Sequence, residues 1–224
     1  MKNKIDVLIS SCARPDVLDV CVKSFIKHAK SEFGFRLVIC EDLVSNSDRQ
    51  ELGAEWIENH KSFFDKIIFS KTQLTYVFCF SEILKDAESE YFIRLEDDVE
   101  FFEELDCDKI IDCLKQNENI CQFMFRRQNM KLHPQWSCSH IGNCGTRKLY
   151  SSDFCSIASG VYNTQLIRQI VDYSGTNECH ESGVLTPSMK ALNLKGGVIE
   201  GLSSKEAIQY VGDNLGYKKG SWKR

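Results

Sequence analysis

Between Tyr91 and Phe102 a strand-like run, Tyr91-Phe92-Ile93-Arg94-Leu95, ends in three consecutive acids, Glu96-Asp97-Asp98, before apolar residues resume at Val99. Three adjacent carboxylates repel one another, and burying any of them unpaired costs several kcal/mol. A fold that contains this strand must bring its C-terminal end to an edge where the charge meets water or a cation. Oxygen ligands alone favour a hard divalent metal. A solvated acidic turn is the competing reading, and the rest of the chain decides between the two.

Along the chain the apolar pattern alternates between strand and helix periods. Ile5 to Ser11 has the character of a buried strand, and Ser11-Cys12-Ala13-Arg14-Pro15-Asp16 is a turn with proline suited to a first helical turn. Val17, Leu18, Val20, Cys21, Phe25 and Ile26 recur at helical spacing, with Lys23, Lys27 and Lys30 opposite. Phe35 to Cys40 is a second strand, ending in Glu41-Asp42, so the chain opens with a βαβ unit. A helix over 49–60, a strand over 66–69, a helix over 74–87 and the strand Tyr91–Leu95 follow. This alternation predicts a doubly wound α/β sheet, which binds ligands beyond the carboxyl ends of its strands. Ser11–Arg14, Asp42 and Glu96–Asp98 all fall at such ends. That convergence favours a metal site over an isolated acidic turn.

The second half predicts a helix over 105–114, a strand over 120–125 followed by Arg126-Arg127, and helices over 163–173 and 186–192. Residues 128–154 lack periodicity and hold Trp136, His133, His140, Cys138 and Cys144; they are expected to form a long irregular loop. The tail after Tyr210 is basic and punctuated by glycine. No internal repeat or linker divides the chain, so a single domain over 1–224 is expected.

Composition adds exclusions. A formal net charge of −4 gives no global attraction for nucleic acid or anionic membrane. No apolar stretch approaches the ~18 residues that span a bilayer, and the Met1-Lys2-Asn3-Lys4 start shows no signal peptide, so a cytoplasmic protein without a membrane anchor is expected. The eleven cysteines are scattered without CxxC pairs, which suits small buried hydrophobes in a reducing compartment better than a disulfide framework. Cys138, His140, Cys144 and Cys155 do not have the spacing of a standard zinc site.

The opening strand followed by Ser10-Ser11-Cys12-Ala13-Arg14-Pro15, the second strand ending in Glu41-Asp42, and Glu96-Asp97-Asp98 after the fourth strand resemble the GT-A class of nucleotide-sugar glycosyltransferases, most of all the family 2-like enzymes with their acidic DxD motif. The resemblance covers the first hundred residues. It implies a GT-A fold: a Rossmann-like, mostly parallel sheet flanked by helices. Residues 1–100 would form the nucleotide-sugar-binding half, and 101–224 the acceptor-binding half and tail. It further implies a transferase that moves a sugar from a nucleotide-diphosphate donor, UDP-sugar first among them, with Mn²⁺ or Mg²⁺ as cofactor. Asp98 corresponds to the metal ligand, while Glu96 and Asp97 would touch the ribose, the metal's waters or the sugar. Glu96 departs from the family, which often has Asp there. Asp42 resembles the acid that contacts the base. Ser11 and Arg14 would lie beside the base and ribose or the phosphates.

In the family's order of elements a general base would come at Glu181 or Glu178, with Asp153 a third candidate. A late metal-binding histidine is missing from Tyr210-Val211-Gly212-Asp213, where Asp213 could substitute. Lys218, Lys219 and Arg224 could meet a diphosphate. The acceptor would be a glycan, a protein or a hydroxylated base in DNA, with Arg126-Arg127 and the basic tail speaking for the last. A nucleotidyltransferase is the enzymatic alternative, though no glycine-rich loop follows the first strand. A non-catalytic sugar-nucleotide-binding protein is the other.

Overall fold

The computed structural model describes residues 4–42, 49–70, 76–125, 137–174, 181–200 and 208–210. β1 (Ile5–Ser11) is buried along its whole length. Val7 and Ile9 face one side of the sheet and Leu8 the other, so both faces are covered and every position must be apolar or hydrogen-bonded. α1 (Pro15–His28) starts on Pro15 and carries Asp16 in its first turn and Lys27 and His28 in its last, each sign matching the helix dipole. β2 (Ala29–Lys30), β3 (Phe35–Glu41), α2 (Gln50–Asn59), β4 (Lys66–Phe69), α3 (Tyr76–Lys85) and β5 (Tyr91–Glu96) complete the first half.

The second half holds β6 (Val99–Phe101), β7 (Leu105–Asp106), α4 (Cys107–Lys115), β8 (Gln122–Phe125), β9 (Cys138–Cys144), β10 (Arg147–Ser152), β11 (Gly160–Asn163), α5 (Thr164–Ser174), α6 (Glu181–Ala191), β12 (Gly196–Glu200) and β13 (Ile208–Tyr210). One nine-stranded sheet runs β4-β3-β1-β5-β11-β8-β12-β10-β9. Among the described residues seven of these nine strands point the same way, and only β11 and β10 run against them. The expected mostly parallel α/β architecture is therefore the one found.

The order of the first strands places the ligand edge. From β1 the chain winds outward through β3 to β4, then returns to the other side of β1 with β5. The neighbours β1 and β5 thus flank the switch point, where an open α/β sheet leaves a crevice at its carboxyl edge. α1 and α4 pack on one face around Phe25, Ile93 and Ile110, whereas α3, α5 and α6 cover the other around Phe80, Phe92 and Tyr162. The rings of Phe92 and Tyr162 stack at 5.1 Å across β5 and β11. At the opposite edge Asp6 is buried, pairs with Arg36 at 2.8 Å and accepts from the Glu88 and Ser89 N–H groups. That junction fixes where β5 begins, and so where its acidic end emerges. Gly160 lets β11 lie against β8: a Cβ there would meet the Phe123 carbonyl oxygen at 2.5 Å.

Three expectations change. The irregular loop over 128–154 contains a hairpin, β9 and β10, whose two-residue turn opens on Gly145 at φ 63°. Glycine at the first position of such a turn is what the strand twist demands. The helix expected from Leu105 starts at Cys107, because Leu105–Asp106 pairs with β2 and the Asp106 carboxylate caps Lys109 N–H. The last helix starts at Glu181, ahead of Thr186. No described helix is long and apolar enough to cross a membrane. Arg126-Arg127, His133, Trp136, Glu178, Asp213, Lys218, Lys219 and Arg224 lie outside the described residues.

Candidate active site

Strand parity decides what each acid does. On β3, Leu37, Ile39 and Glu41 share a face, and Ser11 is the register partner of Glu41 on β1. Glu41 is therefore driven inward, where its Oε1 accepts from Ala13 N–H at 2.5 Å. Ala13 sits at φ 53°, a left-handed conformation that costs an L-residue on the order of 1 kcal/mol. The buried carboxylate holds this turn, and the turn swings Arg14 back over the sheet edge.

Arg14 meets the triplet there. Its Nε donates to Asp97 Oδ2 at 3.1 Å and its Nη2 to Asp97 Oδ1, a bidentate pair that is almost wholly buried. Its Nη1 also stands 3.7 Å from Asp98 Oδ2. Glu96 turns to the opposite side, where its Oε2 accepts from Ser159 N–H at 3.3 Å and its own N–H donates to Ser159 Oγ at 2.9 Å. Asp98 is left more open to solvent than Asp97, its side chain 22% exposed against 4%. Burial, then Asp97 and Glu96, push its carboxyl up to about 7.

The charge balance favours a cation. Glu41, Asp42, Glu96, Asp97 and Asp98 gather against two guanidinium groups, Arg14 and the fully buried Arg94. Among the described residues no three His, Cys, Asp or Glu side chains converge on one point. Asp97 is committed to Arg14 and Glu96 to Ser159. One crowded, partly exposed carboxylate with oxygen donors fits Mg²⁺ or Mn²⁺, which take one or two protein carboxylates and complete their shell with phosphates and water. The residues present thus fit a divalent metal held chiefly by Asp98.

Ser10 Oγ at the same edge is buried without a hydrogen bond, a cost that packed strand ends rarely carry, and the Ser11 hydroxyl stands beside the Glu41 carboxylate. Asp42 follows β3 and is fully buried, its N–H donating to Ser11 O at 2.9 Å. β13 pairs antiparallel with β6 and ends with Tyr210 opposite Val99, so the chain's last described strand ends beside the triplet.

The candidate bases separate. α5 rises from the amino-terminal edge, where Thr164 N–H donates to Glu90 O, and α6 packs against it and descends to the start of β12. Glu181 therefore stands at the end of α6 nearer the carboxyl edge. Asp153 follows Ser152, which pairs with Gly196 at the start of β12, and so lies at the opposite edge. There it accepts from Ser137 N–H at 3.2 Å and faces Lys190 at 3.4 Å. The structure does not bring Asp153 to the triplet. An open cleft of about 1020 Å³, bordered by Lys4, Lys30, Phe33, Tyr91 and Asp112, also lies at that amino-terminal edge, away from the acids.

Sequence reasoning singled out Asp42 and passed over Glu41 and Ser159. The parity of β3 is a signal for Glu41, since it continues the Leu37, Ile39 series. Nothing local marks Ser159, which reaches Glu96 from 63 residues away.

Glu41 makes a pH prediction. Burial pushes its carboxyl from 4.5 up to about 7, with the Ala13 N–H pulling the other way. The folded value lies above the unfolded one, so this group's contribution is fully present below about 4.5 and is lost as pH rises through about 7. Glu41→Gln keeps the acceptor for Ala13 and removes the charge. Relative to the parent, it is expected to gain about 3 kcal/mol between pH 4.5 and 8, measured by urea unfolding at each pH. A stability difference that stays flat across this range would refute the assignment.

The chain matches no family model and no curated protein sequence. Among solved structures it is similar to GalNAc-T7 with UDP, GalNAc and Mn²⁺ (TM-score 0.62, 11% identity, covering 89% of this chain and 43% of that one). It is also similar to S. aureus TarS (TM-score 0.56, 14% identity, covering 88% and 35%) and to TarS 1–349 in complex with UDP-GlcNAc (TM-score 0.55, 15% identity, covering 88% and 56%). The chain thus spans about a third to just over half of the length of these proteins. At such identities the likeness is one of fold, and the fold is GT-A.

Proposed function

We propose that this GT-A chain is a glycosyltransferase that moves a sugar from a nucleotide-diphosphate donor, a UDP-sugar, to an acceptor hydroxyl on a glycan, a protein or a hydroxylated base, with Mn²⁺ or Mg²⁺ at Asp98. The observation that carries the reading is the acid–guanidinium cluster at the switch point between β1 and β5. Support comes from the similar structures, of which TarS 1–349 holds UDP-GlcNAc and GalNAc-T7 holds UDP, GalNAc and Mn²⁺. A cytoplasmic setting agrees with the free thiols among the described residues.

A divalent metal bound at Asp98 supplies positive charge where the leaving diphosphate gathers negative charge. The chain's own residues hold and orient. Arg14 fixes Asp97 and keeps the triplet's turn rigid. Ser159 fixes Glu96, which faces the ribose or the sugar. Ser11 and Asp42 mark the base end of the crevice. Asp213, three residues beyond β13 in sequence, is the second metal ligand in this reading, and Glu181 takes the acceptor's proton as general base, with Glu178 its alternative.

Thermal unfolding with a panel of nucleotide-diphosphate sugars tests the reading. One donor with Mn²⁺ or Mg²⁺ is expected to raise Tm by several degrees at about a hundred times Kd, and EDTA is expected to abolish the rise. Donor stabilisation of the same size in EDTA would remove the metal from the proposal. No stabilisation by any donor would remove the transferase.

A further inference from the structure

We propose that Cys113 and Cys144 form an oxidisable thiol pair, a modification site that a peroxide converts to a disulfide joining α4 to the tip of the β9–β10 hairpin. The two residues come from distant parts of the chain, the last turn of α4 and the last position of β9. Cys144 Sγ donates to Lys109 O at 3.6 Å, and Cys113 lies one turn further along the same helix face. Gly145 presses on that turn as well: a Cβ there would meet Lys109 Nζ at 3.0 Å. On the other side of the hairpin turn, Arg147 Nη2 donates to Glu104 O at 3.0 Å. The hairpin tip is thus seated on α4, which sets the Cys144 thiol against the turn of helix that runs from Lys109 to Cys113.

Exposure distinguishes this pair from two others. Cys40 and Cys79, and Cys121 and Cys155, also share one cluster, but all four are buried in the second core. A peroxide reaches them only if the core opens. Cys113 is half-buried at the rim of the first cluster, of which Cys144 is a buried member. Burial pushes the Cys144 thiol up to about 12, against the pull of Lys109 and Arg147, which makes it a poor first nucleophile.

The chemistry follows from that order. The Cys113 thiolate attacks one peroxide oxygen; an S–O bond forms, the O–O bond breaks, and hydroxide leaves to become water. Cys144 then attacks the sulfenic sulfur; the S–S bond forms, the S–O bond breaks, and a second water leaves with the thiol's proton. Two thiols are oxidised and one hydrogen peroxide is reduced to two waters.

Treating the full chain with hydrogen peroxide and mapping its peptides without reduction tests this. The expected product has lost two hydrogens, links the peptide holding Cys113 to the peptide holding Cys144, and reverts with dithiothreitol. Cys113→Ser, a change at a half-buried site, is expected to fold, to lose the linked peptide and to leave Cys144 unmodified. Sulfinic acid on Cys113 with no linked peptide would overturn the proposal. So would a Cys40–Cys79 or Cys121–Cys155 linkage forming first.

Discussion

Asp98→Asn is expected to lower sugar transfer by at least ~100-fold and to erase the stabilisation that Mn²⁺ or Mg²⁺ adds to donor binding. The substitution keeps the side chain's size and one acceptor oxygen, and removes a charge that Arg14 does not hold at two points. Arg14 holds Asp97 at two points and approaches Asp98 only to 3.7 Å. Without the cation the Asp98 charge opposes folding, because its folded carboxyl is pushed up to about 7 by burial and by its two acidic neighbours. A folded value raised above the unfolded 3.8 means that stability is full below about 4 and falls as pH rises through about 7. Above pH 7 the metal-free Asn variant should therefore be at least as stable as the parent while nearly inactive. Activity of the parent should climb over the same pH range, since the metal binds the carboxylate and not the acid. An Asp98→Asn protein that keeps its cation-dependent Tm shift and transfers sugar within a few-fold of the parent would end the metal assignment.

How much of this was legible in the amino-acid sequence depends on how far apart the interacting residues lie. β1, β3 and β5 were readable because strands covered on both faces need unbroken apolar runs, and such runs stand out. The acidic ends of two of them were readable for the same reason, as abrupt breaks in those runs. The β9–β10 hairpin was not. It forms the far edge of the sheet, most of β9 is exposed, and the register slips between Leu149 and Tyr150, so no period-2 alternation survives. Its one local signal was Gly145 in a two-residue turn. The start of α6 was obscured by Pro187 within the helix, a residue that normally ends or kinks one. The pairings Arg14–Asp97 and Glu96–Ser159 span 83 and 63 residues. No window of sequence contains either pair, and only the sheet order brings them together.

The Arg14–Asp97 pair carries the largest stability effect expected here. Asp97 is 3% exposed, and its carboxylate has both oxygens on one guanidinium. Arg14→Ala would leave that charge buried without its counterion, a change that typically costs about 3–5 kcal/mol. In a chain of this length that lowers Tm by on the order of 10 °C. Arg14→Lys should recover only part of the loss, because an ammonium cannot match both carboxylate oxygens in one plane. Adding Asp97→Asn to Arg14→Ala removes the stranded charge, so the double variant should be more stable than Arg14→Ala alone. The two single changes would then couple by about 2 kcal/mol or more in a double-mutant cycle. Urea unfolding of the four proteins at pH 8 measures this directly. A loss below about 1 kcal/mol for Arg14→Ala would place the pair with ordinary surface bridges, and the triplet's turn would then need another anchor. A large loss with rescue by Asp97→Asn means that Arg14 serves the site by holding Asp97 in place, which leaves Asp98 as the acid free to meet a donor's metal.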